Sequence, residues 1–181
     1  MIVHTVGHST LEMEAFLRLL EAHGVRAIAD VRRYPASRRH PHFAREAFEA
    51  ALAGAGAAYL WIPELGGRRP PRPDSPHRAW RVEGFRGYAD HLDTPEFATG
   101  LDRLLTFAAE HPTAVMCAEA QPTRCHRRIL ADALVVRGIQ VLHIRSPTRA
   151  EEHHLPPFAR IQNGHLVYDG ETQLPLPGTK E

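Results

Sequence analysis

The sequence predicts an α/β fold: a mainly parallel five-stranded sheet with helices on both faces, followed by a C-terminal β-hairpin. Three observations carry this. Short apolar runs alternate with longer stretches whose apolar residues recur at helical spacing, the pattern of successive strand–helix units. The run Thr113-Ala114-Val115-Met116 is apolar enough for a central strand buried on both faces. Asn163-Gly164 separates two short strand-like segments, a strong two-residue hairpin signal.

The elements follow in order. Residues 2–8 read as a first strand. Ser9 with Glu12 three positions later reads as a capping box, and the helix after it carries Leu11, Phe16, Leu19 and Leu20 on one face before Gly24. A second strand covers Val25 to Val31, and the loop after it holds Pro35 and Pro41, which forbid regular structure. A helix over Ala44 to Ala53 leads to a third strand, Tyr59 to Ile62, broken by Pro63. Residues 63–94 are irregular, with a short helix between Gly84 and Leu92. Thr94-Pro95 is an N-cap followed by proline at N1, opening the helix through Phe97, Leu101, Leu104 and Leu105. The strand at 113–116, a helix running to Gly138, and a fifth strand at Gln140 to Ile144 complete the pattern. The chain thus divides into one α/β domain over 1–146, with the long loop at 63–94, and an extension over 147–181 with a hairpin near 159–168 and a frayed tail.

A length of 181 residues suits a single core, and the 43% hydrophobic and 24% charged composition is that of a soluble globular protein. No apolar run is long enough for a membrane span, and the first residues lack a secretory pattern, so a cytoplasmic protein is expected. Only two cysteines, with no export signal, argue for a reducing compartment and against a structural disulfide. Net charge is +1, and all but one of the 22 basic residues are arginine, Lys180 being the exception. A coding bias would explain the count. Position says more, because Arg32-Arg33, Arg38-Arg39, Arg68-Arg69 and Arg124 to Arg128 cluster at strand ends and loops, where the guanidinium fork suits phosphate, carboxylate or nucleic acid.

Both cysteines lie on the turn from the 113–116 strand into the next helix, within Cys117-Ala118-Glu119-Ala120-Gln121-Pro122-Thr123-Arg124-Cys125-His126-Arg127. A helix N-terminus favours anions and thiolates, and Arg124 and Arg127 add charge of the same sign. Cys117 or Cys125 is therefore a candidate nucleophile, His126 a proton-transfer group, and Glu119 its partner or a base in its own right. In open parallel sheets ligands bind beyond the carboxyl ends of strands, which here collect His8, Ser9, Asp30, Arg32, Glu64, Cys117 and Glu119. Plainer readings exist for each. His8-Ser9 could only cap a helix, Asp30 and Arg32 could pair with each other, and both cysteines could be small buried hydrophobes. Cys117, Cys125, His126 and His8 would also suit zinc, although structural zinc spacings are absent. A sulfur redox pair is a further reading, against which the two cysteines lie much farther apart in sequence than in Cys-x-x-Cys.

Gly7-His8-Ser9-Thr10, Asp30-Val31-Arg32 with Pro35 and Ser37-Arg38, Pro63-Glu64-Leu65-Gly66-Gly67, Gly84-Phe85-Arg86-Gly87-Tyr88, and Cys117-Ala118-Glu119 with Cys125-His126-Arg127 occur in this order. Together they resemble the bacterial and archaeal family known as domain of unknown function 488, from about residue 3 to residue 144. The resemblance implies a cytoplasmic α/β domain whose matching motifs mark a shared site, and it implies no particular reaction. The strand ending Asp30-Val31-Arg32 and the later Cys117–loop–Arg124–helix unit are also similar in architecture to rhodanese and cysteine-dependent phosphatase domains. The loop here holds Pro122 and lacks the glycines that wrap backbone N–H groups around an anion.

The function expected from these residues is a cysteine-dependent hydrolase or transferase acting on an anionic nucleotide, nucleic-acid or phosphorylated substrate. Its catalytic candidates are Cys117, Cys125, His126, Glu119 and His8. Ser9, Asp30, Arg32, Arg38, Glu64, Arg124 and Arg127 are the candidates for holding substrate. No cofactor is required, zinc being the metal alternative, and no membrane partner is expected. The alternative is a non-catalytic nucleic-acid or nucleotide binding module using the same arginines, with Tyr34, Phe43, Trp80, Phe85 and Tyr88 as stacking surfaces. Nothing in the pattern fixes an oligomeric state, and a homo-oligomer stays open.

Overall fold

Five parallel strands form the centre of the structure, a computed structural model that describes residues 1–36 and 39–170. They are β1 (Ile2–Gly7), β2 (Ala27–Asp30), β3 (Ala58–Trp61), β4 (Thr113–Cys117) and β5 (Gln140–Ser146). A sixth strand, β6 (Arg149–Glu152), lies antiparallel on β5, giving the order β3-β2-β4-β1-β5-β6. The expected count of five strands in the sheet is therefore corrected to six. The sequence Arg-Ala-Glu-Glu of β6 has neither the apolar content nor the alternation that marks a strand. At a sheet edge such charged residues are tolerated and discourage further pairing. The hairpin arises where expected, from β7 (Arg160–Gln162) and β8 (His165–Val167), with Asn163 and Gly164 at positive φ in the turn.

Alternation along the strands builds two cores. Val6, Ile28, Ala114, Met116 and Ile144 face α1 (Met13–Ala22) and α2 (Arg45–Gly54), packing on Phe16, Leu20, Phe48 and Leu52. Val3, Ala29, Val31, Val115 and Val141 face the other side. There they meet side chains of α3 (Glu83–His91), α4 (Pro95–Glu110) and α5 (Arg127–Val135). α4 begins as its sequence indicates: Thr94 Oγ1 accepts the Phe97 N–H at 3.2 Å, and Pro95 occupies the first turn. Among the described residues no helix is long and apolar enough to cross a membrane.

The start of α1 differs from the sequence reading. Ser9 is not its N-cap; the helix begins at Met13 after Glu12, without a side-chain cap. The backbone beyond β1 is engaged elsewhere, because His8 N–H donates to Cys117 O at 3.0 Å and Ser9 N–H to Ala118 O at 2.9 Å. Ser9 itself has a φ of 46°. This extension of the β1–β4 pairing brings the two chains so close that a Cβ on Gly7 would lie 2.0 Å from the Glu119 carbonyl oxygen. Glycine is what lets the cysteine loop lie against β1.

Candidate thiol site

Strand order decides what meets at the carboxyl edge. β4 lies between β2 and β1, with Asp30 opposite Met116 and Gly7 opposite Cys117. The chain crosses to one side of β4 after β1 and to the other after β4, and such a switch point is where open α/β sheets leave a crevice. Residues following all three strands are thereby collected around the Cys117 loop.

That loop turns through a short 3-10 segment, Pro122–Arg124, and delivers Cys125 just ahead of α5. The eight-residue separation in sequence closes up in space. The sulfurs of Cys117 and Cys125 and a ring nitrogen of His126 all lie within 4.8 Å of one another. Both cysteines are free thiols. Cys125 is 3% exposed, while Cys117 is partly open and lines a cavity of about 190 Å³.

Around Cys125 the donors converge. Arg127 gives its backbone N–H at 3.5 Å and its Nε–H at 3.4 Å, and His126 Nδ1 is 3.7 Å away. Arg127 is only 1% exposed. Its Nη1 donates to Thr5 Oγ1 at 3.2 Å, and its Nη2 to the carbonyl oxygens of Glu119 and Ala120. All these partners except Cys125 are neutral. A guanidinium stays charged in a protein, and a buried unpaired charge is costly. Among the described residues, the side chain that touches it and can take a negative charge is Cys125, as a thiolate.

The two thiols accordingly titrate as a pair. The Cys125 thiol is held well below its usual range by the Cys117 S–H donated to it, then by His126 and Arg127. The Cys117 thiol is pushed well above, first by that hydrogen bond and then by burial. The two directions are those of a coupled pair in which the buried sulfur ionises first and the partly open one second. His126, which lines the cavity, packs against the Tyr88 ring. Its Nε2 is buried with no hydrogen-bond partner among the described residues.

The other sequence-derived residues divide. Asp30 and Arg32 form a buried pair, Nε and Nη2 of Arg32 donating to the carboxylate at 2.9 and 2.6 Å. Tyr59 OH donates to the same carboxylate at 2.8 Å. Nη1 of Arg32 is used by Phe43 O at 2.8 Å and His8 Nε2 at 3.4 Å. Arg32 reaches the cavity wall with most of its donors already committed. His8 gives its Nδ1–H to Ser9 O at 3.0 Å and stacks on Phe43. These contacts make its neutral tautomer the fitting one and tie it to Arg32. Glu64 binds Arg103 at 2.7 Å and does not line the cavity. Glu119 is exposed, its carboxylate accepting the Gln121 N–H rather than a His126 proton. Arg124 is exposed, and Arg38 lies outside the described residues.

What the sequence-derived set omits is the cavity's far wall: Arg33, Tyr34, Gly67 and Arg68. Arg33 Nη1 donates to Arg68 O at 3.3 Å, and Arg68 has a φ of 62°. The arginine clusters at 32–33 and 68–69 were the available signal. Gly67 packs where a Cβ would lie 2.8 Å from His126 Nδ1. Of the five aromatic residues considered for base stacking, Phe43, Trp80 and Tyr88 are buried in the core; Tyr34, at 65% exposure, is the open one. That weakens the binding-module reading.

A metal is less well accommodated than a proton. Cys117, Cys125 and His126 are near enough to hold a soft cation, and zinc would take both sulfurs as thiolates. Zinc with two thiolates is neutral, so Arg127 would then be left as an unbalanced buried cation. One thiol and one thiolate would balance it.

Burial also leaves a mark on stability. His8 is lowered to about 4 and His143 to about 3, in both cases first by burial, with Arg32 next for His8 and His153 next for His143. Below 6.5 the unfolded chain binds protons that the folded chain refuses. Stability should therefore fall as pH drops from 6.5 through 4, and further towards 3. Urea unfolding across this range checks it: the slope should shrink in His8→Gln, and an unchanged slope would show His8 uninvolved.

Fold and site together define an open α/β protein with a two-cysteine centre at the carboxyl edge of its sheet. The chain belongs to the family described as domain of unknown function DUF488, whose profile matches residues 12–134. The match takes in the Asp30, Glu64, Cys117 and Cys125 motifs and begins after His8-Ser9. No curated protein and no solved structure matches the chain.

Proposed function

We propose that the protein is a thiol-dependent hydrolase or transferase acting on a small anionic substrate, with Cys117 as nucleophile and Cys125 as its proton acceptor. The observation that carries this is the buried Arg127 guanidinium, which among the described residues makes no ion pair with a carboxylate and rests its Nε–H on the Cys125 sulfur. Cys125 is too enclosed to meet a substrate, whereas Cys117 borders the cavity. As Cys117 attacks an electrophilic phosphoryl or acyl centre, its proton passes to the Cys125 sulfur. The new bond is to Cys117 sulfur, and the leaving group departs with its electron pair. Water or an acceptor hydroxyl then displaces Cys117 and restores the thiol pair. Arg33 and Arg68 line the cavity and would receive the substrate's charge, and His126, whose residue also lines it, would exchange a proton with the leaving group.

Two alkylating agents that differ in charge test both halves of this reading. Iodoacetate carries a carboxylate and iodoacetamide does not. Cys117 is expected to favour iodoacetate over iodoacetamide more strongly than free cysteine does, and Arg33→Ala with Arg68→Ala should remove the preference. A ratio equal to that of free cysteine would refute the anion cavity, and slow reaction of both agents at neutral pH would refute the activated thiol.

A further inference from the structure

Behind Arg127 the polar groups do not stop. Thr5 Oγ1 meets His143 Nδ1 at 2.7 Å, His143 Nε2 meets His153 Nδ1 at 2.9 Å, and His153 Nε2 meets Asp132 Oδ1 at 2.6 Å. Tyr168 OH closes the far end, donating to Asp132 Oδ2 at 2.7 Å. Every member is buried. The members come from β1, β5, α5, the segment after β6 and the residue after β8, so no stretch of sequence contains the chain.

A guanidinium can only donate and an ionised carboxylate can only accept. With Arg127 donating to Thr5 at one end, Asp132 accepting at the other and both imidazoles neutral, each group between accepts once and donates once towards Asp132. Thr5 donates to His143, His143 to His153, and His153 to Asp132. Both imidazoles then have both nitrogens satisfied, and their neutrality is in keeping with the low pKa of His143, which burial dominates. A chain this ordered gives Arg127 Nη1 one place to point, which leaves its Nε–H on Cys125.

We infer that Thr5, His143, His153 and Asp132 form a positioning relay that holds the Arg127 guanidinium against the Cys125 thiolate. The inference rests on the thiolate reading given above and extends it. It gives Thr5, His143 and His153, outside the matched family range, a part in the site. The groups that face Cys125 are Cys117 at the end of β4, Tyr88 from α3, His143 from β5, and His126 and Arg127 from its own segment. Thr5 reaches it through Arg127.

The test follows the pH profile of iodoacetamide alkylation in the full chain. Thr5→Val keeps the shape of the strand residue and cuts the relay beside Arg127. It should raise the lower thiol midpoint by about one pH unit, leaving roughly ten-fold fewer thiolates below it. Thr5→Ser, which restores a hydroxyl, should return the midpoint to that of the parent. Tyr168→Phe removes only the outer donor to Asp132, so it should lower thermal stability and leave the midpoint in place. If Thr5→Val leaves the midpoint unchanged, or Tyr168→Phe moves it as far, the relay is structural and the inference fails. If the parent protein shows only an ordinary thiol midpoint, the thiolate reading itself has failed, a distinct outcome.

Discussion

Replacing Arg127 by methionine is expected to cost about 3–5 kcal/mol of stability and to raise the lower thiol midpoint to the ~8.5 of a free thiol or above. Methionine fills much of the same volume, so the loss is electrostatic rather than a cavity. Three acceptors, Thr5 Oγ1 and the Glu119 and Ala120 carbonyls, lose their donor, and the Cys125 sulfur loses its cation. Arg127→Lys guards against simple misfolding. It keeps the charge but cannot supply the same fork, so it should fold and show an intermediate midpoint. The sign with pH follows from the direction of each shift. The depressed first ionisation contributes stability that is complete above the unfolded thiol pKa and is lost as pH falls through the folded one. The second ionisation, raised in the fold, costs stability at alkaline pH. Stability of the parent should therefore climb towards about pH 8.5 and decline beyond it, and the climb should flatten in Arg127→Met. Urea unfolding at several pH values reads both; a stability within 1 kcal/mol of the parent would mean the guanidinium is not paired as described.

Periodicity made the five parallel strands, the Thr94 cap and the Asn163-Gly164 hairpin legible, because each is a local signal repeated by its neighbours. β6 was hidden, since an edge strand needs no apolar face. Ser9 misled for the opposite reason. Its local cap signal was strong, but two backbone hydrogen bonds to the loop after β4 took the chain elsewhere. At the candidate site, residue types at strand ends pointed to one edge of the sheet without revealing partners. Nothing in Asp30-Val31-Arg32 shows that Asp30 and Phe43 O consume most of the arginine's donors, or that Glu64 turns to Arg103. The cysteines looked too far apart for a pair because sequence spacing counts residues, whereas a 3-10 turn folds eight of them back on themselves. The relay from Arg127 to Tyr168 could not be read at all. Its members are scattered from position 5 to position 168, and only the β1–β5 pairing and the closing segments assemble them.

A coupled thiol pair has a signature that no pair of independent thiols can imitate. The parent is expected to form one thiolate well below the usual thiol range and a second well above it, followed by the ultraviolet absorbance of the thiolate. Cys125→Ser leaves Cys117 without the neighbouring anion that resists its ionisation, so its midpoint should fall from the upper step. Cys117→Ala deprives Cys125 of the S–H that does most to stabilise its thiolate, so its midpoint should rise from the lower step. Each single variant should thus titrate once, between the two parental steps. Reactivity should separate the two positions as well. Cys125→Ser keeps a sulfur at the cavity and should still be alkylated, more slowly than the parent at neutral pH. Cys117→Ala leaves only an enclosed sulfur and should react little until the protein unfolds. Two ordinary, superimposed titrations in the parent would remove the proton acceptor role of Cys125. Equal alkylation of the two single variants would remove the assignment of Cys117 as nucleophile, because that assignment depends on which sulfur the cavity exposes.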